Sequence, residues 1–381
     1  MTSRRGVLKL IGGGVVLAAA GAGGFVALNQ PSRAAREAWR VAGQDTEYRR
    51  RFLSYALLAP NPHNRQPWLV QLEGEDALTL YVDLERRLPA TDPLDRQIII
   101  GCGAFLELLR LAAAEEGYDA QITPFPEGAP DMAGRLDARP VARVTFASAA
   151  ASPDPLFAHA LARHTNREVY EARDVEPVKL AALVSAGTAF GLQAFSCGND
   201  QTAERLRDIT WRGHEMESLT DYTMQESIDL MRIGPAEVAR HRDGISLEGP
   251  IIGLGKLVGA VSREALSDPA SDAFRQGLEM YRPLAASARA FVWLVNDGSD
   301  RDGQLSAGRA YMRLALEAAA QGLAIHPWSQ TLQEYPEMAA LYREVHGLIG
   351  GGGCVQMLVR AGYARPVPPA PRRGLDAHLM S

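Results

Sequence analysis

The stretch Ala59-Pro60-Asn61-Pro62-His63-Asn64-Arg65-Gln66-Pro67-Trp68 decides the reading of this chain. It follows an apparent helix, Arg50 to Leu58, and its prolines and asparagines force that helix to stop in an irregular loop. Such a loop presents backbone N–H and C=O groups beside the Asn64 amide. Together they suit the edge of a flat heteroaromatic ring. Trp68 then leads into a strand. Taken alone, the stretch reads equally well as a plain helix-to-strand connector.

Two cationic blocks lie far downstream. Arg163-His164-Thr165-Asn166-Arg167, with Tyr170 behind it, sits at the start of an apparent helical region. Arginine keeps its charge and forks its donors, which suits a phosphate. A helix N-terminus there would add backbone donors and a favourable dipole. The second block, Pro371-Arg372-Arg373-Gly374, would close a phosphate clamp with Arg163 and Arg167. Each block alone is an ordinary solvated charge cluster or basic tail.

Two segments share a pattern. Gly103 to Gly117 and Gly308 to Gly322 are both rich in Ala and Leu. Leu109, Leu111, Ala113 and Ala114 match Leu314, Leu316, Ala318 and Ala319 at one offset. Each reads as a packed helix ended by glycine. Each has a strand upstream (Leu78 to Val82; Phe291 to Val295) and another downstream (Val141 to Phe146; Cys354 to Val359). The repeated order predicts an internal duplication, with halves at about 36–150 and 151–375. An extra segment of mixed charge, roughly 204–273, interrupts the second half. An insertion of this length suggests a lid, or else a dimerisation arm.

Arg4-Arg5 precede a run without charge, Leu10 to Leu28, that contains six glycines. This is the pattern of a twin-arginine export signal, with a membrane anchor as the other reading. Residues 1–35 are therefore set apart from the fold, and the chain is expected to be exported to the periplasm or cell envelope through the twin-arginine translocase. The 381 residues suffice for a large core. A net charge of −5 argues against nucleic acid as a partner. Cys102, Cys197 and Cys354 are too few and too scattered for a disulfide framework or a metal site.

Taken together, the A-P-x-x-x-N-x-Q-P-W block, the R-H-T-N-R block, the Ala-rich helix ending in Gly and the basic C-terminus resemble the nitroreductase superfamily. The resemblance covers about 45–375, apart from the insertion. It implies an α+β fold of antiparallel-rich sheets flanked by helices, and FMN as cofactor. It implies that Arg163, Thr165, Arg167 and Arg372 or Arg373 grip the phosphate, with His164 of the same block also at the cofactor. Pro60, Asn61, Pro62 and Asn64 would lie against the ring, with Trp328 and Ser329 after the second Ala-rich helix. The departures are informative. The phosphate block follows the ring loop here, whereas the superfamily has the reverse order. The second half's counterpart of the loop, around Ala186 to Phe195, lacks the Asn and the Q-P-W. The pattern is similar to the Acg-like branch, in which two nitroreductase units are fused in one chain and a lid covers the flavin. It implies a monomer acting as a pseudo-dimer around one FMN, passing electrons from a small-molecule donor such as NAD(P)H to an acceptor such as a nitroarene or quinone. FMN binding without turnover is the alternative. No residue is assigned a covalent catalytic role, since the flavin carries the chemistry.

Overall fold

The computed structural model describes residues 25, 26, 28–148, 151–298 and 300–380. Arg4, Arg5 and most of the uncharged run lie outside the described residues.

Helix α1 (Tyr48–Ala56) opens the first half and leads through the Pro60–Pro67 loop into β1 (Trp68–Glu73) and β2 (Ala77–Val82). Helix α2 (Arg96–Glu115) follows, then β3 (Tyr118–Pro124) and β4 (Ala142–Ser148). The strands form an antiparallel sheet in the order β1-β2-β4-β3. The second half repeats this sequence of elements. Helix α3 (Pro177–Gly187) precedes β5 (Gln193–Cys197) and β8 (Ala290–Asn296), then α5 (Arg301–Ala320), β9 (Ala324–Pro327) and β10 (Cys354–Gly362). Its sheet runs β5-β8-β10-β9, which is the same connectivity strand for strand.

The two long helices are stopped alike. Gly117 and Gly322 take φ of 78° and 67°, a left-handed conformation that a side chain would strain. At their starts, the Asp92 carboxylate accepts from Gln97 N and Ile98 N, and Asp300 accepts from Gly303 N. The helices cross at Gly103 and Gly308. A Cβ on Gly103 would lie 2.0 Å from Leu305 O, and one on Gly308 would lie 1.9 Å from Ile100 O. Each glycine thus meets the residue three before the other glycine, so the contact is reciprocal, as at a two-fold interface. Arg96 and Arg301, equally spaced from these glycines, each cross to the opposite half. Arg96 donates to Gln356 O and Leu332 O; Arg301 donates to Leu94 O and Gly134 O. Helix α2 is long and apolar enough to cross a membrane, yet it is almost wholly buried between the sheets.

The insertion sits between β5 and β8 and is wider than the sequence suggests, occupying 198–289. Helix α4 (Gln201–Leu219) starts directly after β5, and the helices Asp272–Glu279 and Arg282–Ala286 lead straight into β8. It also holds β6 (Met231–Ile233) and β7 (Ile245–Leu247), paired in parallel, and the helix Pro250–Leu257. Three carboxylates fasten it to the first half and the N-terminal segment. Glu226 accepts from Ala90 N, Thr91 N and Thr91 Oγ1; Asp243 pairs with Arg86 at 2.8 Å; Glu248 pairs with Arg36 at 2.7 Å.

Candidate functional site

The loop before β1 is built on backbone that few side chains tolerate. His63, Asn64 and Gln66 have φ of 46°, 52° and 50°, and each such residue costs about 1 kcal/mol. Internal bonds hold it there. Asn61 Oδ1 accepts from Gln66 N at 2.7 Å. Asn64 is engaged by the C-terminal tail: its Nδ2 donates to Pro371 O at 3.0 Å, and its Oδ1 accepts from Arg372 Nη1 at 2.5 Å. Helix α2 runs closely below, where a Cβ on Gly101 would lie 3.2 Å from Asn61 Cβ. The insertion reaches the loop as well, through Gly244 N to Asn64 O at 3.2 Å and Gln66 Nε2 to Arg242 O at 2.8 Å.

Arg372 caps the end of α1. It donates to Leu57 O, Leu58 O and Ala59 O at 2.9, 3.1 and 2.9 Å, carbonyls that have no partner further along the helix. Arg163 Nη2 donates to the same Leu58 O at 3.0 Å. Both guanidinium groups flank Trp39, 6.0 and 5.6 Å from its ring centroid. Burial first, then the Arg163 charge, brings Arg372 down to about 9. The late cationic segments and the early loop therefore meet at one carbonyl. No described carboxylate forms an ion pair with Arg163 or Arg372. Two buried like charges without a counter-ion are costly, and an anion between them would offset that cost.

The neighbouring polar atoms are unpartnered. Arg163 Nε and Nη1, His164 Nε2, His63 Nδ1, His214 Nδ1 and Tyr311 Oη are all buried without a hydrogen bond. Arg167 is exposed, and no described residue hydrogen-bonds its guanidinium. Its charge reaches side chains from several segments. Burial and then Arg167 hold His63 down to about 4 and His326 well below the usual imidazole range. Burial raises Tyr281, and lifts Tyr311 to about 12, with Arg167 opposing in both. His164 packs edge-on against Trp39, with ring centroids 5.1 Å apart, and burial followed by Arg163 and Arg372 lowers it to about 4.

Some expected positions come out differently. Residues 163–167 do not open a helix. They run extended beside β9, with Thr165 bridged to Ile325 and Asn166 N donating to Ile325 O at 2.9 Å. The next helix begins only at Pro177, so the block has side-chain donors but no helix dipole. Arg373 turns to Gln66, donating from Nη2 to its carbonyl at 2.7 Å. Trp328 is a core residue, 1% exposed, with Nε1 donating to Thr210 O at 2.9 Å. Ser329 precedes the short turn Gln330–Leu332, its carbonyl accepting from Leu332 N at 3.0 Å. Pro60 and Pro62 both precede the left-handed residues and lead the chain into the loop.

No family model matches the chain. It is nevertheless similar over most of its length to two proteins of Mycobacterium tuberculosis strain H37Rv. "Putative NAD(P)H nitroreductase Rv3131" is 28% identical over 349 residues, covering 87% of this chain and 91% of that one. "Putative NAD(P)H nitroreductase acg" is 28% identical over 333 residues, covering 84% and 92%. The likeness is to the nitroreductase superfamily. Among solved structures, the FMN-dependent nitroreductase NfnB of Mycobacterium smegmatis is 17% identical, with 57% of this chain and 92% of that chain covered at a TM-score of 0.35.

Several residues around the site carry no sequence signal. Tyr311 is one apolar-face position on α5 and reads as core. His214 lies on the insertion helix α4, stacked on Tyr281 with centroids 4.0 Å apart. His326 has a fixed tautomer, because its Nδ1 accepts from Arg360 Nε at 3.2 Å. Arg360 itself is fully buried, 4.1 Å from the Tyr170 ring centroid. His63 lay inside the decisive stretch, but nothing in the sequence marked its imidazole as buried and unpartnered.

Proposed function

We propose that this chain is an FMN-dependent oxidoreductase of the nitroreductase type, built from two fused units that share one flavin. The observation that carries this reading is the meeting of Arg163 and Arg372 on Leu58 O, with no described carboxylate paired to either and the free donors of Arg163 left over. That donor set fits a phosphate. Arg163 and Arg167 would hold it, Arg372 would fix the loop through Asn64, and His63, His326 and Tyr311 would offer neutral polar groups to the rest of the ligand. FMN bound there supplies two-electron transfer between a donor such as NAD(P)H and an acceptor such as a nitro compound or quinone. The protein's part is to keep the imidazoles uncharged, exclude water through the insertion and present its cations to developing negative charge. Identical strand order in the two sheets and the reciprocal glycine crossing support the fusion. Arg4-Arg5 ahead of the uncharged run supports export by the twin-arginine route, and the bonds from Gly244 and Arg242 to the loop support the insertion as a lid.

Anaerobic reduction of the flavin-loaded chain tests the activity. Bleaching of the flavin absorbance by NADPH as well as by dithionite is expected. Bleaching by dithionite alone would replace turnover with flavin sequestration, the second reading, which the loop-bonded insertion favours.

A further inference from the structure

His326 on β9 stands directly opposite Arg360 on β10. The Arg360 side chain is fully buried, and no described carboxylate pairs with it. Besides the bond from Nε to His326 Nδ1, its donors go to neutral oxygens: Leu284 O and Ser287 Oγ from Nη1, and Glu168 O from Nη2. Its guanidinium carbon lies 4.1 and 5.2 Å from the Tyr170 and Trp328 ring centroids. A guanidinium has donors only, so His326 Nδ1 accepts and the imidazole proton sits on Nε2. No described residue hydrogen-bonds that Nε2, and His326 keeps 6% exposure. Burial first, then the Arg167 and Arg360 charges, oppose a second proton on the ring. The result is a neutral N–H, polarised from behind by a fixed cation and without an acceptor among the described residues.

The sheet does not require this pair. His326 is four residues beyond Gly322, which ends α5; the residue four beyond Gly117, which ends α2, is Gln121. Gln121 is exposed and stands opposite Thr145 in the register between β3 and β4. Burying a guanidinium away from any carboxylate costs stability that an aliphatic strand residue would not. The bridge from Thr165 to Ile325 sets His326 beside the cationic segment Arg163–Arg167. We propose that His326 Nε2–H donates a hydrogen bond to the atom that gains negative charge on reduction, and that Arg360 is its positioning residue. This rests on the flavin site proposed above. The acceptor is a ring atom of the flavin or an oxygen of the quinone or nitro compound. Either gains electron density on reduction, and a preorganised neutral donor stabilises it while keeping its own proton.

The test begins with the flavin-free full chain carrying isotope-labelled histidine. Nitrogen chemical shifts at neutral pH are expected to show His326 uncharged with its proton on Nε2; a proton on Nδ1, or a charged ring, would overturn the proposal. The FMN-loaded chain is then compared with His326→Phe, which removes donor and acceptor, and His326→Gln, which keeps one of each. The readouts are the ratio of reduced to oxidised FMN affinity, from dithionite titration against a reference dye, and the rate at which menadione reoxidises the reduced protein. In His326→Phe a ratio lowered about tenfold places the bond on the flavin. An unchanged ratio with reoxidation slowed about tenfold places it on the acceptor. In both cases His326→Gln restores most of the loss. No change in either readout, or an equal loss in both variants, would overturn the proposal. A wild-type chain that takes up no FMN overturns the flavin reading itself, and that outcome is recorded before either variant is made.

Discussion

The two halves place a left-handed turn at the same point of the same topology, yet the surroundings are opposite. In the first half, the loop of His63 and Asn64 meets Arg163 and Arg372, neither of which pairs with a described carboxylate, and donors of Arg163 are left unpaired. In the second, Phe190 and Gly191, at φ of 54° and 79°, lie over Arg309, whose guanidinium is 3.9 Å from the Phe190 centroid. Arg309 in turn pairs at 3.1 Å with Glu107, a fully buried carboxylate that also takes Arg110 at 2.7 Å and Arg313 at 3.2 Å. One region is an incomplete charge arrangement; the other is complete. On the proposed duplication, one half keeps a cation arrangement that calls for an anion, and the other satisfies its charges from within.

The comparison breaks most visibly at Glu107. Glu107→Ala strands Arg110 and Arg309 and leaves Arg313 only its 2.8 Å pair with Asp154; it is expected to lower unfolding stability by about 3–5 kcal/mol in urea titrations, with FMN affinity unchanged. A parallel loss of FMN affinity would mean the two regions are not independent. The helix crossing comes next. Gly103→Ala and Gly308→Ala each drive a Cβ into a carbonyl, and each is expected to cost about 3 kcal/mol. Their reciprocal geometry requires similar values, so a large inequality would count against the two-fold relation.

Arg163→Met sharpens the contrast. It is expected to weaken FMN binding about 100-fold in fluorescence titrations, while stability without FMN holds or rises because an uncompensated buried charge is gone. Arg309→Met is expected to leave FMN affinity unaltered. The smallest effect is on pH dependence. His63 sits at about 4 when folded against 6.5 for the free side chain, so between those values the unfolded chain binds more protons. Its contribution to stability is present above pH 6.5 and is lost as pH falls toward 4. His63→Asn, which tolerates the left-handed backbone, is expected to remove about 3 kcal/mol of that pH-dependent loss in thermal or urea titrations. Identical pH profiles for the two proteins would place His63 outside the buried site.

Much of this was legible in the sequence because the local signals are strong. Proline and asparagine mark the decisive loop, glycine marks both helix ends, and the apolar segments fall where β2, β4, β8 and β10 are found. The paired Asp-Arg at Asp95-Arg96 and Asp300-Arg301 was also present to be read, at the offset of the two glycines. The extended course of Arg163–Arg167 was not legible, because it depends on a bridge to Ile325 contributed from far along the chain. Tyr311, His214 and His326 were hidden for a related reason. Each looks like an ordinary helix or strand residue until packing brings Tyr311 and His326 toward Arg167 and stacks His214 on Tyr281. Arg372 showed its charge but not its role: the sequence suggested a phosphate ligand, and the fold uses it first to cap α1 and hold Asn64.

The central claim is best tested by titrating the purified flavin-free chain with FMN and counting the sites by flavin fluorescence quenching. The account predicts saturation at one FMN per chain, lost in Arg163→Met. Failure to bind FMN, or two equivalent sites per chain, would contradict it.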